Sequence, residues 1–157
     1  MIKKIKVSII NKTKRYKVIN TRVVKVIEAI TKYMRIDKSV ELSFAFVGTK
    51  TIRKVNRDFR KADKPTNVIS FNLGEGETGL NTIKGEIIIC PSIAEKEANK
   101  DLNNFPEYVE FLVIHSFLHI LGYDHKIEKE RKIMESLEEK IFKDLKVNKL
   151  ITKEVLR

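Results

Sequence analysis

The sequence predicts an α+β fold: one domain over residues 1–157, with a small mixed four-stranded sheet packed against about five helices. Three observations carry this. A chain of 157 residues with 42% hydrophobic content is the size of one domain with its own core. Its apolar spacing switches between strand-like and helix-like periods in an order that does not alternate strictly, as a doubly wound sheet would require. There is no internal repeat, no low-complexity tract and no Pro- or Ser-rich linker to mark a boundary.

The elements follow in order. Lys3–Ile10 alternates polar and apolar residues and reads as a strand. Asn20 or Thr21 can cap a helix running through Tyr33, with Val24, Ile27, Ile30 and Tyr33 on one stripe. Val40–Val47 is a second strand, with Val40, Leu42, Phe44 and Phe46 on one face. Thr49–Phe59 is a short helix carrying Ile52, Val55 and Phe59, and Arg60–Pro65 is a loop because Pro65 and its predecessor resist helix. Asn67–Asn72 is a third strand. Gly74–Lys84 is glycine-rich, lacks an apolar pattern and reads as an exposed, mobile loop. Glu86–Cys90 is a fourth, apolar strand, closed by Pro91, which suits the start of a helix from Ser92 to about Asp101. Pro106–Leu121 is apolar nearly all round and should be a buried helix. Glu128–Leu145 is amphipathic, with Ile133, Met134, Leu137, Ile141 and Leu145 on its inner stripe. Phe44, Phe46 and Phe71 read as core.

Charge and cysteine content narrow the setting. Residues 1–60 hold 17 Lys and Arg against 4 Asp and Glu, whereas residues 61–157 hold 15 against 17. A basic first third is the footprint of a protein that meets a polyanion. The competing reading is a Lys-rich composition without a binding role. The one cysteine, Cys90, allows no intrachain disulfide and reads as a buried, inert thiol. No apolar run reaches the length of a membrane span, and the N-terminus lacks the apolar stretch of a secretory signal. The expectation is a cytoplasmic protein with no membrane partner.

All three histidines lie within eleven residues, in His115-Ser-Phe-Leu-His119-Ile-Leu-Gly122-Tyr-Asp124-His125. On a helix, His115 and His119 project from the same face one turn apart. Gly122 can adopt a positive φ, end the helix and let His125 return from another direction. Three imidazoles converging in this way leave a fourth tetrahedral corner open, the arrangement of a catalytic rather than a structural zinc. Zinc is the first expectation; imidazole also suits nickel, copper and iron. Asp124 either orients a ligand or caps a turn. The same intervals occur in the metzincin proteases, His-Glu-x-x-His-x-x-Gly-x-x-His, but here the general-base Glu position is Ser116, which cannot activate water at neutral pH.

The His115–His125 string resembles the signature of the YbeY family of bacterial endoribonucleases and ribosomal RNA maturation factors, with Ser116 where that family usually has Gly. Two further stretches agree: Asn56-Arg-Asp-Phe-Arg60-Lys-Ala-Asp-Lys-Pro65-Thr-Asn-Val-Ile-Ser-Phe71, and Lys84-Gly-Glu-Ile-Ile-Ile-Cys90, where Glu86 stands for the commoner Asp. The resemblance is dense over 52–145. It implies a zinc-like ion on His115, His119 and His125, with His115 and an essential arginine at Arg60 carrying catalysis. It also implies single-stranded RNA as substrate, processing of small-subunit ribosomal RNA at its 3′ end and ribosome quality control, with the small ribosomal subunit and assembly factors as partners. A guanidinium is always protonated and can contact two phosphate oxygens, so Arg60 suits a transition-state clamp. Ser70 and Tyr123 are candidates to line the cleft, Tyr123 by stacking on a base or as a packed aromatic. Glu86 and Asp124 are the candidate carboxylates. Two other readings compete: a small metallohydrolase or protease using the same cage, and a non-catalytic ribosome assembly protein whose metal is structural.

Overall fold

The computed structural model describes residues 3–74, 81–145 and 150–153. Within them the order is β1 (Ile5–Asn11), β2 (Tyr16–Val18), α1 (Asn20–Tyr33), β3 (Ser39–Phe46), α2 (Thr49–Arg60), β4 (Val68–Gly74), β5 (Thr82–Ile89), α3 (Pro91–Lys100), α4 (Phe105–Ile120), α5 (Glu128–Asp144) and β6 (Ile151–Lys153). The expected mixed four-stranded sheet is present, in the order β1-β3-β5-β4. β1, β3 and β5 run parallel, and β4 pairs antiparallel with β5 as an edge strand. The fold is α+β.

Because side chains alternate along a strand, the sheet has two distinct faces. Val40, Leu42, Phe44 and Phe46 of β3, with Ile87 and Ile89 of β5, point toward α1 and α4 and join the large core. Ala45, Ile69, Phe71 and Ile88 point the other way and meet Ile52 and Val55 of α2 in a smaller cluster that includes Cys90. Helix α4 is buried on most sides because eleven of its sixteen residues are apolar or aromatic; Val113, Ile114, Phe117 and Leu118 are wholly inaccessible. Its end packs closely on the sheet at Gly85, where an added Cβ would lie 2.6 Å from Ile120 Cδ1.

Several expectations need correction. A two-stranded ribbon, β2 with β6, joins residues far apart in sequence, and three-residue strands carry too little periodicity to be read. The cap of α1 is Ile19, with no side-chain hydrogen bond, rather than Asn20 or Thr21. Its buried stripe is Val23, Val26, Ile27 and Ile30; Tyr33 is exposed at the helix end. Strand β5 begins at Thr82, earlier than Glu86, since β3 pairs with it along its whole length and satisfies the backbone of its polar start. The expected Gly74–Lys84 loop is thereby shortened: Gly74 ends β4, Thr82–Lys84 belong to β5, and residues 75–80 lie outside the described residues. Ile133 is exposed rather than inward, Phe71 is half-buried rather than core, and Phe59, at the end of α2, is exposed. Ile133 gives up its place on the inner face of α5 to Met134, Glu138 and Ile141.

Candidate metal centre

Helix α4 leaves open one narrow strip, on which Phe111, His115 and His119 recur every fourth residue while their neighbours are buried. A capping Asn104, whose side chain accepts from the Glu107 N–H at 3.1 Å, fixes the start of the helix. At its other end the chain turns at Gly122, with φ +103°, as the sequence required. Asp124 Oδ1 accepts the His125 backbone N–H at 2.7 Å and also lies 3.9 Å from His125 Nδ1. Asp124 therefore caps the turn that returns His125 to the helix face.

The three imidazoles converge. One ring nitrogen from each of His115, His119 and His125 lies within 4.8 Å of the others, and His115 Nε2 and His119 Nε2 are 3.1 Å apart. Two nitrogens bound to one tetrahedral zinc would be about 3.3 Å apart, so the spacing fits such an ion. Burial, and then the neighbouring His115 and His125, push the His119 imidazole below its ordinary value, which favours the neutral ring that a metal needs.

A carboxylate that the sequence reading missed completes the centre. Glu138 of α5, almost fully buried, places Oε1 2.7 Å from His115 Nδ1. An Nδ1–H donated to this carboxylate leaves the Nε2 lone pair free to face its neighbours. The signal was available: Glu138 occupies the inner stripe between Met134 and Ile141, where an acid has no packing reason to be. Phe111 lies against the His115 ring, centroids 6.2 Å apart and planes 29° from parallel.

The other candidates are distributed as follows. Ser116 is buried, and its hydroxyl donates to the Leu112 carbonyl at 2.7 Å, so the position of the metzincin base faces the core. Ser70 is half-buried on the α4 side of β4. Tyr123 is half-buried and packs against the large core. The strand register turns Glu86 to the α2 side, between Ser43 and Phe71, so it is separated from the histidines by the sheet. Arg60 is the exposed last residue of α2. Strand β4 relates it to the centre. Phe71 of β4 touches Phe59 beside Arg60, and the next residue, Asn72, donates to the Ile120 carbonyl beside His119 at 3.0 Å. The ends of α2 and α4 are thus fastened to adjacent residues of one edge strand from opposite faces. Cys90 is buried, near Thr49 and Ser92.

The family model described as Endoribonuclease YbeY matches residues 6–146 of the chain. Endoribonuclease YbeY of Staphylococcus carnosus is 41% identical over 105 residues, which cover 64% of this chain and 69% of that protein. Endoribonuclease YbeY of Staphylococcus aureus is 41% identical over 115 residues, covering 69% and 74% respectively. The solution structure of TM1509 from Thermotoga maritima is similar in fold, with a TM-score of 0.59 and 27% identity, over 88% of this chain and 87% of that one.

Proposed function

The chain belongs to the YbeY endoribonuclease family, and on that premise we propose that it cuts single-stranded RNA at a divalent-ion site formed by His115, His119 and His125. The observation that carries this reading is the convergence of three imidazole nitrogens on an accessible helix strip, with Glu138 behind the first. The donor set, two rings from one helix turn and one from the following bend, fits zinc better than the harder ions that seek oxygen. When bound, such an ion supplies Lewis acidity at the scissile phosphate.

The protein's own groups have separable tasks. His115, oriented through Nδ1 by Glu138, serves both as a ligand and as a fixed wall of the reaction site. Arg60 is assigned the clamp on the phosphate, whose negative charge grows as phosphorus becomes pentacoordinate. Support for Arg60 comes from its exposed position at the end of α2, whose neighbour Phe59 meets the edge strand that also holds the end of α4. Ser70, on the α4 side of the same strand, is a candidate to line the approach. Peptide hydrolysis is not favoured: the hydroxyl of Ser116 is committed to a backbone carbonyl and no carboxylate stands at that position. A purely structural metal fits poorly with ligands that sit on an open strip.

From the same family we extend the proposal to ribosomal RNA, at the 3′ end of the small-subunit species, as the substrate. The small ribosomal subunit and its assembly factors are then the partners, the cytoplasm the compartment, and residues 1–157 one working unit. No helix among the described residues is long and apolar enough to cross a membrane. The test is elemental analysis of the purified protein alongside cleavage of an unstructured RNA, with and without chelator. Chelation should stop cleavage. Arg60→Ala should keep its metal yet cut roughly a hundredfold more slowly. Cleavage indifferent to chelator, or undiminished in Arg60→Ala, would refute the corresponding part of the proposal.

A further inference from the structure

Apart from Arg60, the end of α2 and the turn after it form a surface to which the proposed function gives no task. Phe59 follows Ile52, Val55 and Asn56 on the inner stripe of α2, yet it is 69% exposed. The helix end overhangs edge strand β4, whose Phe71 meets the Phe59 ring edge-on, with centroids 5.5 Å apart and planes at 73°. That contact holds the ring while leaving most of it open to solvent.

The surroundings are cationic and rigid. Seven Lys and Arg lie between Lys50 and Lys64, against Asp58 and Asp63. Those two acids are already paired with Arg57 and Arg53, at 3.3 and 2.9 Å; the register also turns Glu86 and Glu41 to this face of the sheet, Glu41 with Lys84 at 3.6 Å. The turn is folded back on the helix: buried Asn56 donates to the Lys64 carbonyl at 2.9 Å, its own carbonyl receives the Ala62 N–H, and Lys61 takes the left-handed cap with φ 58°. Lys61 and Lys64 are thus fixed near Arg60.

We propose that Phe59 is a stacking platform for one unpaired base of the RNA, with the cations of α2 and its turn holding the neighbouring phosphates. The strand then runs over the β4 edge toward the histidines. The proposal rests on the endoribonuclease reading. An open aromatic among cations matches the two recognisable parts of a single strand, its base faces and its phosphates, without demanding a sequence. Duplex RNA offers no free base face and should gain nothing from Phe59.

The chain contains no tryptophan, so Phe59→Trp installs a sole indole at this position. The full-length protein is titrated with a 2′-O-methylated oligouridylate, which resists attack by its own sugar hydroxyl, and with a hairpin duplex. The single strand should quench the indole emission and the duplex should not. Phe59→Ala should bind the single strand roughly tenfold more weakly, and Phe59→Trp should restore binding; a strand made abasic throughout should bind Phe59→Ala and wild type alike. Absence of quenching, with Phe59→Ala binding as wild type, would overturn the platform and leave the surface to a protein partner. If wild type still cuts RNA in that case, the endoribonuclease reading stands and only Phe59 loses its role. If wild type neither binds nor cuts RNA, both readings fall.

Discussion

The two faces of the four-stranded sheet are built to different depths. Toward α1 and α4, Phe44, Phe46, Ile87 and Ile89 meet Val113, Ile114, Phe117 and Leu118 with almost no exposure. Toward α2, the core consists of Val47, Ile52, Ile69, Ile88 and Cys90, and it opens to water at Phe59. On the proposed function, the contrast matches the chemistry assigned to each side. Three imidazoles must be held within tenths of an ångström, which a close-packed helix achieves because its side chains have no space to change rotamer. A polyanion must be met by cations that remain hydrated and reachable, which a thin layer under one exposed helix permits. Accuracy lies on the deep side and access on the shallow one.

The largest effect that would break this contrast concerns His119. His119→Ala should abolish bound metal and RNA cleavage while leaving the circular dichroism of the fold intact, because the deep core stands without the ion. An unfolded variant would mean that the metal is structural. Next is Glu138→Gln, which keeps the side-chain volume and removes the charge behind His115. Its metal affinity, read by competition with a chromophoric chelator, should fall roughly ten- to a hundredfold. Unchanged affinity would show that packing alone orients the ring.

A smaller effect is expected where the deep face is tightest. Gly85→Ala pushes a methyl group into Ile120, so urea denaturation should show a loss of about 1–3 kcal/mol. A second substitution, Ile120→Val, should recover part of it; a neutral Gly85→Ala would mean that the end of α4 can shift, and the histidines with it. The smallest effect concerns Glu110, buried on α4 beside Arg22 at 3.3 Å. Burial raises its carboxyl above the ordinary range, with Arg22 opposing. Above the ordinary range but below the raised value, the folded chain binds more protons than the unfolded one, so stability falls as pH rises through that interval. Glu110→Gln cannot ionise. Wild-type stability minus that of the variant should therefore decrease as pH rises above the ordinary carboxylate range, a small change beside the others. An increase would show that the Arg22 pair, not burial, governs this site.

Much of the molecule was legible before any coordinates. The histidine intervals and Gly122 define a local geometry, since a helix turn and a left-handed residue fix where three rings point within eleven residues. The five helices and the four strands of the sheet were also readable, because their apolar periods are local records of which side is buried. Glu138 was recoverable only by asking why an acid occupies an inner stripe. The β2–β6 ribbon carried no such record: each strand is three residues long and its partner lies at the other end of the chain.

The sequence by itself determined the histidine trio, the family and the order of elements, all of which depend on neighbours within a few turns of chain. Tertiary structure alone decided which side of the sheet each group faces. It set Glu86 across the sheet from the histidines, brought Glu138 to His115, and fastened the ends of α2 and α4 to Phe71 and Asn72 on one edge strand. The reason is the two-residue period of a strand: a shift of one position in register moves a side chain to the opposite face, and register is set by partners that are distant in the chain.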